Sequence, residues 1–432
     1  MRKLLSIKEF DTIVGNESYK TEYPYLPQPV FKELLRFIQE YEGTEENADV
    51  LDFLKISYKR NAGETVTAKN YVGLIQLKSG YQIEILPKIY LSAADGNNGI
   101  TKRIFIKMLR TLKDFPCKVF SDAALETERM NLYEIFIRMF IQETRRLVQY
   151  GLKSSYINTQ DNLPFYKGKL LVNENIKENL AHRERFFVSY DEFSPDCAEN
   201  KLIKAALLKL QSLTGSEKNS KEIKQLLIAF ENVNESVNFR KDFAKVNIDR
   251  TKKEYESLMK WAKVFLLNKS FSAFSGSTDG RALLFPMESV FESYVAKLVK
   301  TAFLSEQWEV SVQDKGEYLF TEPRKQFALR PDIVLRKDGR IVIMDTKWKK
   351  LSDNESINYG ISQADMYQMY AYSKKYNTSE IYLLYPISAE MNGKPIRFNS
   401  GDGTVVNVFF VDLEKAENSI GRLLGLIQKN GL

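Results

Sequence analysis

The sequence predicts an α/β protein: a mixed sheet flanked by helices in the last third, preceded by a β-containing N-terminal region and a helix-rich middle. Three observations predict it. Residues 271–432 read as helix, strand, hairpin, helix and strand, the order of a compact α/β unit. Residues 116–270 repeat apolar positions at helical spacing. Residues 1–115 mix a helical run with a hairpin signal.

In chain order, QPVFKELLRFIQEY (Gln28–Tyr41) has the spacing of a helix. A hairpin follows: Val72, Leu74 and Gln76 alternate with Gly73, Ile75 and Leu77, Ser79-Gly80 turns, and Gln82–Leu86 returns before Pro87 stops it. Ala93–Gly99 reads as a loop. Leu132–Gly151 is a long amphipathic helix closed by its glycine. NLPFYKGKLLVNENIKENL reads as loop, short strand and helix. The next helix is expected to be capped by Ser194 or Asp196, and SEKNSKEIKQLLIAFENV is another. Pro286 suits the first turn of the helix in MESVFESYVAKLVKTAF. A helix over Ser362–Tyr376, strands in EIYLLYP and TVVNVFFVDL, and a closing helix in AENSIGRLLGLIQ complete the unit.

Composition narrows the chemistry. With 44% hydrophobic and 28% charged residues among 432, the chain is ordinary for a globular protein with a real core. No apolar run reaches the ~18–20 residues of a membrane span. The start MRKLLSIKEF is cut short as a signal peptide by Glu9 and Asp11, so a cytoplasmic protein is expected. Cys117 and Cys197 make neither a disulfide framework nor a zinc site. The single histidine, His182, is read as a structural or surface residue. Histidine-based triads and multi-histidine metal sites are thereby excluded. Any catalysis must run on carboxylates, lysine and a hard metal. The net charge of +7 permits a polyanionic partner without requiring one.

Asp338-Gly339 is a two-residue turn signal between the β-rich runs RPDIVLRK and RIVIMDTK. That turn sets Lys337 opposite Arg340 and, counting back, Asp332 opposite Asp345. Facing side chains in an antiparallel pair have Cβ atoms ~4.5–5.5 Å apart on one face. Two carboxylates there repel, and one tends to take a proton. A hard divalent cation such as Mg²⁺ removes the conflict, because it binds carboxylate, carbonyl and water oxygens. Lys347, two residues past Asp345, points to the same face and can orient a water or balance a phosphate. Thr346 is expected to point away, with its carbonyl as a further ligand. Such a set suits phosphodiester hydrolysis. An ordinary hairpin with solvated end charges reads the same spacing without chemistry.

Neighbouring segments add to the set. Glu288 and Glu292 share one helical face, and Glu292 is placed to add a carboxylate. Asp365, Gln368 and Tyr372 share another, and Gln368 and Tyr372 can hydrogen-bond phosphate or water. The bland reading is that Tyr367, Met369, Tyr370 and Tyr372 mostly pack on the sheet, as Trp348 also would. Arg324, Lys325, Arg330, Lys349 and Lys350 flank the site, either as phosphate contacts or as a solvated face.

PD, DTK, FESYVAKL and DMYQMYAY together resemble the PD-(D/E)xK nuclease superfamily, in its RecB-like form with a Q-x-x-x-Y helix. GLIQLKSGYQIEILPKI, YDEFSPDCAENKLIKAAL and LLFPMESVFESYVA extend the resemblance to the McrC family, the nuclease subunits of McrBC-type modification-dependent restriction systems. It runs from about residue 70 to about residue 390. The resemblance implies a Mg²⁺-dependent DNA endonuclease with Asp332, Asp345 and Lys347 as catalytic triplet and Glu292, Gln368 and Tyr372 as accessory positions. It implies a McrB-like AAA+ GTPase ring as partner, methylated double-stranded DNA as substrate, and an N-terminal region that docks on the ring and stimulates it. The Val72–Leu86 hairpin is the candidate docking element, against the alternative of a plain edge hairpin. The sequence has no G-x-x-x-x-G-K-[ST] loop, and MNGKPIRF has only Gly393-Lys394, so GTP is expected to be used by the partner and not by this chain. Two other readings stay open: a non-cleaving regulator of such a GTPase, and a stand-alone RecB-like nuclease.

Overall fold

The computed structural model describes residues 4–42, 53–91, 98–113, 115–116, 130–247, 254–267, 280–391 and 395–429. Cα packing divides the chain into two compact units, Met1–Arg129 with Ser277–Leu432, and Met130–Gly276. The second unit is one continuous stretch, and the first is made of the residues before and after it in the chain.

The first unit opens with β1 (Leu4–Lys8), β2 (Thr12–Val14), α1 (Gln28–Glu42), β3 (Leu54–Lys59), β4 (Gly63–Ala68), β5 (Tyr71–Leu77), β6 (Gln82–Leu86) and α2 (Asn98–Leu109). The second unit holds α3 (Leu132–Tyr150), β7 (Ser155–Leu163), β8 (Lys169–Leu170), α4 (Val172–Glu178), β9 (Phe186–Ser194), α5 (Ala198–Leu213), α6 (Glu217–Ile228), α7 (Phe239–Lys245) and α8 (Glu254–Leu267). The chain then returns to the first unit through β10 (Gly280–Pro286), α9 (Met287–Leu304), β11 (Glu309–Val312), β12 (Tyr318–Phe320), β13 (Gln326–Ala328), β14 (Ile333–Lys337) and β15 (Arg340–Thr346). It ends with α10 (Gln363–Tyr376), β16 (Glu380–Pro386), β17 (Ile396–Asn399), β18 (Val405–Val411) and α11 (Ala416–Lys429).

The hairpin expected at Val72–Leu86 forms as β5 and β6, with Gln76 opposite Gln82. It is not an edge. The sheet order is β1-β6-β5-β10, so both strands are flanked on either side. β6 is buried throughout and β5 nearly so. With both ladders filled, the alternative of a plain edge hairpin is ruled out. Gly73 explains the close approach of β10: it has φ 145, and a Cβ there would strike the Leu283 carbonyl. Part of the loop expected at Ala93–Gly99 is already helix, since Asn98 and Gly99 start α2; residues 93–97, like Cys117 and Gly393-Lys394, lie outside the described residues.

The six-stranded sheet has the order β11-β14-β15-β16-β18-β17. β14 and β15 are antiparallel, whereas β15, β16 and β18 run parallel. The carboxyl ends of β15, β16 and β18 therefore open on one edge, where open α/β sheets place their ligands. α10 covers one face: its Met369, Tyr372 and Tyr376 pack with Ile343, Ile381 and Leu383. Asp338 (φ 51) and Gly339 (φ 80) both take the left-handed conformation that a two-residue turn needs, and Lys337 stands opposite Arg340 as expected. Tyr367 and Tyr370, expected to pack, are instead exposed, because they lie on the solvent side of α10.

In the second unit α3, α5, α6 and α8 enclose a core in which Trp261 stacks on Phe265 at 5.4 Å and meets Phe136 at 5.9 Å. The helical reading missed β7 and β9, a ladder running from Ser155↔Ser194 to Leu163↔Phe186. NTQDN in β7 is polar on both faces, so it carries no alternation to read. The helix after Pro195 is capped by Cys197, without a side-chain bond, and not by Ser194 or Asp196. Asp196 is engaged elsewhere, by the Asn234 N–H at 2.6 Å and by Lys201 at 2.9 Å. His182 is exposed and stands 3.2 Å from Glu184.

Candidate active site

The site forms where β14 begins and β15 ends. The ladder between them closes at Ile333↔Met344, one residue short of Asp332 and Asp345. Asp332 is therefore free of strand alternation, and its side chain turns onto the partner strand. Its Oδ2 accepts from the Thr346 N–H at 2.8 Å and from the Thr346 Oγ1 hydroxyl at 2.7 Å. This corrects the expectation that Thr346 points away: its hydroxyl fixes Asp332, while its carbonyl lies outside the β14–β15 ladder.

Asp345 is 2% exposed. The Lys347 ammonium stands 2.8 Å from its Oδ2, 3.5 Å from Asp365 and 3.3 Å from the Gln368 carbonyl oxygen. Gln368 in turn donates to the Tyr372 hydroxyl at 2.6 Å. The spacing of α10 brings Asp365, Gln368 and Tyr372 to one side, as expected. From α9, Glu292 accepts from the side-chain amide of Gln313, which also reaches Asp332 Oδ1 at 3.4 Å. The other α9 carboxylate, Glu288, is bound by Asn70 at 3.1 Å.

Charge is out of balance here. Burial and the Asp332 charge push Asp345 up to about 7, against the pull of Lys347. Burial also raises Asp332, but the two Thr346 donors and Lys347 oppose it. Both carboxylates are thus held above the ordinary range, as in a pair that repels across a buried strand end. Burial and Asp332 push Glu292 up to about 7. Burial alone would lower Lys347; the carboxylates of Asp345, Asp365 and Asp332 outweigh it, and the net shift is upward. Tyr372 is pushed up to about 12, first by burial and then by Asp345, so its hydroxyl stays protonated.

Among the described residues, no three acidic, histidine or cysteine side chains close on one point as a ready metal cage. Mg²⁺ does not need one, since it keeps most of its waters and takes one or two carboxylates. Asp345 Oδ2 is buried with the Lys347 ammonium at 2.8 Å as its partner, so a cation already balances one of the carboxylates that would bind the metal. Two hard carboxylates and a main-chain carbonyl at Thr346 fit such an ion.

Two contributors were not legible. Gln313 follows β11, whose Val312 pairs with Ile333, and its N–H donates to the Asp332 carbonyl at 2.9 Å. Only the third strand's register would have found it. The Tyr385 hydroxyl is buried without a hydrogen bond, and the charges of Asp365 and Asp345 raise it beyond the effect of burial. Trp348 packs as expected, 5.4 Å from Phe291, and its indole N–H donates to Glu9 at 2.8 Å. Arg324, Lys325, Arg330, Lys349 and Lys350 are all exposed.

Fold and site together define a mixed α/β protein with a buried carboxylate–lysine cluster at the carboxyl edge of its sheet. The family of McrBC 5-methylcytosine restriction system components matches residues 66–386, and the chain belongs to that family. Among solved structures it is similar to a refined half-complex from the tetradecameric assembly of Thermococcus gammatolerans McrB AAA+ hexamers with bound McrC, with 20% identity and a TM-score of 0.70 over 98% of this chain and 100% of that one. The cryo-EM structure of the Thermococcus gammatolerans McrBC complex also matches, with 21% identity and a TM-score of 0.48 over 70% of this chain and 88% of that one. No curated protein matches the chain. Among the described residues, no helix is long and apolar enough to cross a membrane.

Proposed function

We propose that this chain is the DNA-cleaving subunit of a GTP-driven, modification-dependent restriction complex, acting on double-stranded DNA that carries methylated cytosine. Its partner would be an AAA+ GTPase ring of the McrB kind, which this chain docks on and stimulates. Family membership supports the setting. The observation that carries the chemistry is the meeting of Asp332, Asp345 and Lys347 at one strand end, braced by Gln368 and Tyr372.

Asp332 and Asp345, with the Thr346 carbonyl, would hold Mg²⁺, and Glu292 stands as a further carboxylate beside Asp332. When bound, the ion supplies positive charge for the phosphoryl oxygens and acidifies water. The chain's own residues do the rest. Thr346 favours the charged form of Asp332 against the effect of burial. Lys347, kept protonated by three carboxylates, holds a phosphate oxygen or the attacking water. Gln368, fixed by Tyr372, sets the direction of the Lys347 ammonium. Water adds to phosphorus in line, one P–O ester bond breaks, and the leaving oxygen takes a proton.

Plasmid cleavage tests this reading, with the purified chain, its AAA+ partner, GTP and Mg²⁺, on methylated and unmethylated DNA. Cleavage of methylated DNA by the wild type and none by Asp345→Ala is expected. If neither protein cuts while both raise GTP turnover, the chain is a regulator and the nuclease assignment fails.

A further inference from the structure

At the carboxyl edge of the same sheet, within the first unit, lies a cavity of about 520 Å³. Its size falls in the range of small-ligand sites, ~300–1,000 Å³. Phe10, Tyr90 and Trp348 line it together with Lys88, Lys349 and Lys350, and the residues just past β16 complete it. Trp348 and Lys349 directly follow Lys347, so the cavity adjoins the proposed cleavage site along the chain.

Two features of its lining bear on a ligand. Phe10 is 55% exposed and sits at φ 65, a backbone region costly for a bulky residue. Its N–H is tied to the Ala68 carbonyl at 3.0 Å, which holds that conformation. Trp348 is pinned edge-on by the buried Glu9, whose other oxygen accepts from the Lys88 N–H at 3.0 Å. Glu9 thus orients both the aromatic and the cationic side of the cavity. All three lysines are exposed; Lys350 pairs with Glu390 at 2.7 Å, and Lys88 feels the Glu9 carboxylate. Flat aromatic faces with clustered ammonium groups match a base joined to phosphate.

We infer that the cavity is a nucleotide subsite, which takes one unstacked nucleotide of the DNA strand next to the phosphate held at Asp345 and Lys347. The base lies against Phe10 and Trp348, and the phosphate lies among Lys88, Lys349 and Lys350. This inference rests on the nuclease reading. It adds that the cut strand is locally drawn out of its stack.

The test is photocrosslinking in the complete complex, with Ca²⁺ in place of Mg²⁺ so that DNA stays intact. The probe is methylated duplex DNA carrying 5-iododeoxyuridine at successive positions, and crosslinked peptides are mapped by mass spectrometry. Crosslinks to Phe10, Tyr90 or Trp348 are expected. The double variant Phe10→Ala, Lys349→Ala, at exposed positions that the fold does not need, should lower their yield about tenfold. Crosslinks confined to other residues, in a complex that cuts normally in Mg²⁺, overturn the subsite and leave the nuclease reading standing. Absence of both cleavage and crosslinks overturns both. Loss of the crosslinks to excess deoxythymidine monophosphate, with DNA still bound, assigns the cavity to free nucleotides and also overturns the inference.

Discussion

Two buried carboxylate–lysine pairs lie in the first unit, and they behave differently. Glu84 of β6 pairs with Lys102 of α2 at 3.1 Å, with side chains 1% and 9% exposed, and accepts from the Ser6 hydroxyl at 3.0 Å. Asp345 pairs with Lys347 at 2.8 Å, with side chains 3% and 26% exposed. The first sets a buried acid against a buried base, closed off from water. The second sets one lysine among Asp345, Asp332 and Asp365, with Glu292 beyond, at an edge open to solvent. A matched pair specifies a fold. A surplus of negative charge at an open strand end costs stability and is retained where a cation and a phosphate come to balance it.

The contrast is broken most sharply by two substitutions. Asp345→Ala is expected to lower cleavage by about 10³-fold, while its melting temperature in metal-free buffer stays level or rises, because one repelling carboxylate is gone. A large fall in that temperature would place Asp345 with the structural pair. Lys102→Ala is the mirror image. It strands the Glu84 charge in the sheet and should cost about 3–5 kcal/mol in urea unfolding. A Lys102→Ala protein of unchanged stability would show that the matched pair is not what holds α2 to the sheet.

A third prediction concerns a carboxylate that belongs to neither pair. Glu9 is fully buried, and burial pushes it up to about 7 from 4.5, despite hydrogen bonds from Trp348 and Lys88. Between those two values the folded chain holds a proton that the unfolded chain has released. Stability therefore falls as pH rises through this window, by about 3 kcal/mol, and levels off above it. Glu9→Gln should lose absolute stability, since its NH₂ must face one of two N–H donors. It should nevertheless show a flatter stability–pH curve in denaturant melts. An unchanged slope would remove Glu9 from the account.

What the sequence disclosed follows the same division. The β14–β15 register was readable because Asp338-Gly339 permits only one turn geometry, and that register fixed Asp332, Asp345 and Lys347. Helical spacing placed Glu292, Gln368 and Tyr372. The failures are all tertiary. Gln313 reaches the site because β11 pairs with β14, and no local pattern announces that pairing. Glu9 was read as a charge that interrupts an apolar run, yet Trp348 and Lys88 supply the donors that let it be buried. The alternative of an edge hairpin at β5–β6 stayed open because the strand that covers β5, β10, lies some two hundred residues downstream. Thr346 was misread because Asp332 lies past the end of the β14–β15 ladder and turns to the Thr346 hydroxyl, which strand alternation does not foresee.

Thr346 yields the smallest and most specific prediction. Its hydroxyl and its N–H both donate to Asp332 Oδ2, at 2.7 and 2.8 Å. Thr346→Val keeps the shape and the N–H but removes the hydroxyl. The loss of one hydrogen bond to a partly buried carboxylate is worth about 1 kcal/mol, hence about a fivefold slower cleavage. Because that bond favours the charged form of Asp332, its removal raises the proton affinity of Asp332 and makes more Mg²⁺ necessary for half-maximal rate. Thr346→Ser restores the donor and should restore both quantities. If Val and Ser behave alike, the hydroxyl does not fix Asp332, and the N–H alone orients the carboxylate at this strand end.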